Sequence, residues 1–171
     1  MTTKCRVSFQ FLLLVIVLPA SILVACAGDA RSRADLELEE TIGAPLNTCL
    51  LMFTDKHTYR FGEAVVFWVD NGCESTLWFQ NQSLGLVAYR YDEHVGRWTP
   101  TKLGFLIGNP RVTEVPPGPA TKPEYTFETL FMDQALLGQE VRLVVVGQVK
   151  DASGNLGPVY GAYRDIIVVA P

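Results

Sequence analysis

The chain has 171 residues, with 14 Lys and Arg against 18 Asp and Glu and a formal net charge of −4. Hydrophobic residues make up 49% of it and charged ones 19%, which excludes a disordered chain, and the acidic balance argues against a nucleic-acid partner, whose phosphates require a basic face. With only four cysteines and two histidines, histidine-based triads and metal centres have little to draw on.

In chain order, Lys4 and Arg6 precede the apolar run Phe11 to Leu18, and small residues lead on to Leu23-Val24-Ala25-Cys26. That is the layout of a removable export peptide. An apolar residue three before a cysteine, small neighbours and a thiol open to acylation resemble the bacterial lipoprotein signal, or lipobox. The resemblance implies that residues 1–25 are removed and that Cys26 carries diacylglycerol on its sulfur, its new amine open to acylation too. Two or three chains such as palmitate, at roughly 0.8 kcal/mol per buried methylene, would then hold the protein on the cell membrane, facing the extracytoplasmic side. Val7 to Ala25 is also just long enough for an uncleaved span; Pro19, Gln10 and Ser21 weigh against that. A buried helix of a cytoplasmic protein is the third reading.

Removing residues 1–25 leaves 146, enough for one domain with a core. Twelve cations then face 18 acids, a net charge of −6. Residues 26–48 read as a flexible tether, because charged and small residues dominate the first half and Gly43 and Pro45 break the second. Within it, Arg33 to Glu40 has some helical character, but Leu36 and Leu38 are too close together to share a helix face.

Residues 49–171 change character, to short apolar stretches rich in β-branched and aromatic side chains between turn residues. The predicted strands are Leu50 to Thr54, Ala64 to Asp70 (ended by Asn71-Gly72), Thr76 to Gln80, Leu86 to Tyr91 and Arg97 to Thr99. Pro100 to Pro123 is irregular, with one short strand at Arg111 to Val115. Tyr125 to Phe131 alternates as a half-buried strand does, and Asp133 to Leu137 makes one helical turn before Gly138. Val141 to Val149 and Ala162 to Val169 are nearly continuous in apolar character, which places them centrally. Short strands without a crossover helix leave a sandwich or a barrel, and Pro/Gly corners favour an immunoglobulin-like antiparallel β-sandwich. Its predicted core is Phe53, Val65, Phe67, Val69, Phe79, Phe127, Val144, Val146, Ile167 and Val169.

Cys5 leaves with the signal and Cys26 is blocked by lipid, so Cys49 and Cys73 are the pair left to bridge in an oxidising compartment. If the chain turns back near Phe61, position i faces position 122 minus i. That register sets Cys49 opposite Cys73 and Phe53 opposite Val69, within the reach of about 4.5 to 5.5 Å that a disulfide tolerates. Two free buried thiols are the alternative.

Tyr59, Gly62-Glu63, the strand Ala64 to Val69 and Asn71 form Tyr-x-x-Gly-Glu-x-Val-x-Phe-x-Val-x-Asn, followed by Leu77 and Phe79. Asp92-x-x-x-Gly96-x-Trp98, Val115-Pro-Pro-Gly118 and Gly161-x-Tyr163 continue the order. Over residues 50–169 this resembles bacterial immunoglobulin-like sandwich domains, including the intracellular proteinase inhibitor family. It departs from that pattern at Pro119 and in the longer stretch Thr101 to Val112. The resemblance implies the fold, and an inhibitor would present a Pro-stiffened loop, Val115, Pro116, Pro117, Gly118 and Pro119.

Catalytic and metal constellations are weak. No Gly-x-Ser-x-Gly elbow is present, and His57 reads as an exposed loop residue. Adjacent residues at a hairpin tip, as in Asp92-Glu93-His94, cannot all converge on one ion. Asp151, Ser153 and Asn155 have the odd spacing of a calcium loop, but Ala162 takes the place of the closing glutamate. Trp68, Trp78 and Trp98 read as core rather than as a sugar platform. No cofactor is expected, and the reading is of a non-catalytic binding or structural module of the cell envelope. Its partners are the membrane, through lipid on Cys26, and an envelope protein or carbohydrate; an inhibitor presenting Val115 to Pro119 is the alternative.

Overall fold

The computed structural model describes residues 32–81, 83–101, 112–119, 125–129, 132–151 and 153–171. The predicted lipobox with Cys26 and most of the Thr101 to Val112 stretch lie outside them. The described residues comprise a helix, α1 (Arg33–Ile42), and ten strands: β1 (Leu50–Thr54), β2 (Thr58–Arg60), β3 (Ala64–Asn71), β4 (Leu77–Phe79), β5 (Val87–Asp92), β6 (Arg97–Thr101), β7 (Thr113–Val115), β8 (Tyr125–Glu128), β9 (Glu140–Lys150) and β10 (Leu156–Val169).

They form a β-sandwich. One sheet has the order β1-β3-β8; the other runs β2-β10-β9-β4-β7, with the β5–β6 hairpin attached to β9 through β5. Pairing is antiparallel apart from β2 with β10, where Thr58 to Arg60 lie parallel to Ile167 to Val169, so the larger sheet is mixed where an antiparallel one is expected from sequence. Between the sheets, Val65, Phe67, Phe127, Leu77, Phe79, Val141, Leu143, Val145, Ile166 and Val168 are almost fully buried. Phe79 presses so closely on Gly147 that a Cβ there would come within 2.7 Å of its ring, so glycine is what lets β9 pass beneath it.

The register of β1 on β3 corrects the predicted one. Leu50 faces Asn71 and Phe53 faces Trp68, so paired positions sum to 121, not 122. Because the side-chain period of a strand is two, the slip of one residue exchanges the faces of β1. Leu50 and Met52 point into the core, while Phe53, predicted there, lies on the outer face and stacks on Trp68 with ring centroids 5.9 Å apart. The same parity error affects β10, whose core residues are Ile166 and Val168 with Ile167 and Val169 only half-buried. Val144 and Val146 belong to a second cluster on the other face of β9.

That second cluster corrects the tether. α1 folds inside it: Ala34, Leu38 and Ile42 stand four residues apart, form one stripe and pack with Leu46, Trp98, Val144 and Tyr163. Leu38 is wholly buried, whereas Leu36 is exposed. The helix face is set by the i, i+4 stripe of Ala34, Leu38 and Ile42 and not by the pair Leu36 and Leu38.

Candidate functional site

At one end of the sandwich Cys49 and Cys73 are bridged, with a Cα–Cα distance of 4.8 Å. In the observed register Gly72, not Cys73, faces Cys49, and its N–H donates to the Cys49 carbonyl at 2.7 Å. Cys73 reaches its partner because β3 ends at Asn71 and the chain turns, with the Cys73 N–H donating to Asn71 Oδ1 at 3.0 Å. A shallow groove of about 410 Å³ beside the bridge is lined by Thr48, Ser75, Val149 and Tyr160 among others.

Asn71 is fully buried and holds the candidate loop. Its Nδ2 donates to the carbonyls of Ser75 (3.0 Å) and Val115 (2.8 Å), and its backbone exchanges bonds with Gly118, N–H to carbonyl, at 3.1 and 2.7 Å. One side chain thereby satisfies two orphan carbonyls and one orphan N–H. The loop starts in β7 and is tied down again at Gly118, whose φ of +127° suits only glycine. Pro116, Pro117 and Pro119 are exposed while Val115 and Gly118 are half-buried, so the segment is pre-organised but held against the sheets.

On the outer face of the larger sheet, Arg142 of β9 is 8% exposed. Its Nε and Nη2 form a fork on Asp165 at 2.7 and 2.9 Å, Nη1 donates to Asp35 of α1, and the guanidinium lies 4.3 Å from the Trp98 ring centroid and 3.7 Å from that of Tyr163. Burial alone would lower the Arg142 pKa, but the two carboxylates outweigh it and the net shift is upward. Burial raises the Tyr163 phenol. The Trp98 backbone N–H donates to Glu37 and its Nε1 to the Ala34 carbonyl, both at 2.9 Å. The arrangement fastens α1 to the sheet and leaves the cation neutralised.

The sequence-derived chemical candidates do not converge. His57 and His94 are exposed. Asp92 Oδ1 accepts from the backbone of His94 and Val95, which closes its own turn. Asp151 does the same with Ser153 and Asn155, and the Asn155 side chain leads the hydrogen bonds that lower its pKa. Among the described residues no group of three His, Cys, Asp or Glu is placed to hold a metal ion, and no helix is long and apolar enough to cross a membrane. The tryptophans stand apart, with Trp98 over Arg142, Trp68 on Phe53 and Trp78 beneath Lys150. A groove of about 730 Å³ runs from Tyr91 and His94 to Glu140 and Arg142.

Asn71 was visible from sequence only as a turn signal, and Arg142 not at all, since a lone arginine in an apolar run carries no sign of partners 23 and 107 positions away. Thr129, also buried, accepts from the Gly62 N–H at 2.7 Å and is placed to donate to the carbonyls of Arg60 and Glu63.

No family model matches the chain, and no curated protein matches it. Among solved structures it is similar to Spo0M, a sporulation control protein from Bacillus subtilis, at 15% identity and a TM-score of 0.42. The match covers 71% of this chain and 49% of that one, so the chain spans about half the length of Spo0M.

Proposed function

We propose that this protein is an exported lipoprotein, attached by lipid on Cys26 to the extracytoplasmic side of the cell membrane, and that its sandwich is a non-catalytic binding or structural module for an envelope protein or carbohydrate. Export and anchoring rest on the lipobox pattern Leu23 to Cys26. A bridge between Cys49 and Cys73 fits such a location, because disulfides persist in oxidising compartments. The observation that carries the module reading is the Asn71 clamp: an inhibitor presents its loop free of the body, whereas here Val115 and Gly118 are both bonded to Asn71.

Metabolic labelling with a fatty acid tests the anchor. The parent protein takes up label and Cys26→Ser does not; equal label in both would overturn the lipoprotein reading.

A further inference from the structure

We propose that the lipidated protein stands on the bilayer by the turn between β5 and β6, with Val95 and Tyr91 at the lipid headgroups and the Asn71-clamped loop at the opposite, outward end. The inference rests on lipid attachment at Cys26. From Cys26 to Arg33, the first residue of α1, there are seven peptide steps, a reach of at most about 25 Å when fully extended.

The start of α1 has a set place. Asp35 and Ala34 are bonded to Arg142 and Trp98, while Ile42 at the far end of the helix reaches Gly161, which pairs with Val146. The helix therefore starts beside the beginning of β9. On β5, Tyr89 pairs with Arg142 and the strand runs antiparallel to β9, so Asp92 and the turn at 93–96 extend past the beginning of β9 at that same end. From Arg142 to Lys150, β9 runs eight residues, about 26 Å. At its far end Lys150 pairs with Leu156, and Val149 lines the groove beside Cys49 and Cys73. The leash consequently leaves from the end remote from the disulfide and the clamped loop.

The tip suits a headgroup layer. Val95 is 57% exposed and Tyr91 38%, an apolar side chain beside an aromatic ring with a polar edge, which is the type that partitions to the membrane interface. The turn carries Asp92 and Glu93 against Arg97, an acidic balance, so the match is to a neutral interface and not to anionic lipid.

The full-length protein, extracted from labelled cells, is reconstituted into phosphatidylcholine vesicles carrying headgroup spin labels, with a fluorophore at Val95→Cys or at Leu156→Cys. Quenching several-fold greater at position 95 is expected. A Gly/Ser insertion after Ala30 of about twenty residues, which roughly doubles the root-mean-square reach of the leash from about 15 to about 29 Å, should bring position 95 down to the level of 156. Lipid on Cys26 with equal quenching at both positions, or more at 156, overturns the orientation and leaves the lipoprotein reading standing. Absence of fatty-acid label overturns both.

Discussion

Asn71 and Gly118 exchange a pair of backbone hydrogen bonds that bridge the end of β3 to the loop after β7, and the Asn71 side chain adds a third tie to the loop through Val115. The loop's conformation is thus written largely into one buried amide at the end of β3. Asn71→Ala would strand the Val115 and Ser75 carbonyls and the Cys73 N–H. At about 1–3 kcal/mol for a buried group left without a partner, partly relieved by water at the loop edge, the expected loss is on the order of 3 kcal/mol. Urea melts measure it, and limited proteolysis should cut within Val115 to Pro119 sooner than in the parent. An unchanged cleavage rate would show that the prolines alone order the loop.

Cys49 and Cys73 should be found linked. Closing a loop of 24 residues stabilises by about 3 kcal/mol in the chain-entropy model. Peptide mapping without reductant identifies the linked fragments, and Cys49→Ser with Cys73→Ser should melt lower by that amount. Two alkylatable thiols in freshly folded protein would contradict the pairing.

Arg142 joins β9, β10 and α1. Removing it leaves Asp165 and Asp35 facing each other without their cation, and breaking a buried pair in this way costs about 3–5 kcal/mol. Arg142→Ala should also speed amide exchange in α1 relative to β3. Uniform loss of protection would mean that α1 is held by Leu38 and not by the ion pairs.

Tyr59 should give the fold an alkaline limb. Burial first, then its hydrogen bond to Asp55, raises its pKa from 10.0 to about 12. A proton held more tightly in the folded than in the unfolded state stabilises fully below pH 10, and that contribution is lost as pH rises from 10 to about 12. Tyr59→Phe should be less stable at pH 8, because the Lys56 N–H loses its 3.0 Å acceptor, and the gap to the parent should narrow above pH 10. A constant gap across that window would rule out the linkage.

His57→Ala and His94→Ala should melt within about 0.5 kcal/mol of the parent, as exposed substitutions do. Phe67→Ala, which empties a fully buried site, should cost about 3–5 kcal/mol. A histidine variant that loses partner binding while melting normally would point to chemistry at that residue.

Strand positions were legible to within a residue or two at β3, β4, β5 and β9, as was the short helical turn after Asp133, whose carboxylate accepts from the Ala135 N–H. These are local properties: apolar alternation, turn residues and caps act over a few positions. β2 was missed because Thr58–Arg60 sits between the turn residues Asp55 to His57 and Gly62 and its partner is far away in sequence, Thr58 pairing with Ile167, and the first half of β10 because Gly157, Pro158 and Gly161 read as breakers, although an edge or a bulge tolerates them.

By itself the sequence determined an all-β sandwich, the pairing of Cys49 with Cys73 though not the register that brings them together, and the turn chemistry at Asn71. Only the tertiary structure decided which face of β1 and β10 turns inward, because parity follows from register, and a slip of one pair reverses every side chain at no cost in local propensity. It also decided that Arg33–Ile42 is a docked helix. Leu38 is buried by Trp98 and Val144, and Asp35 is neutralised by Arg142, partners that no window of local sequence contains and without which ten residues of helix are marginal in water.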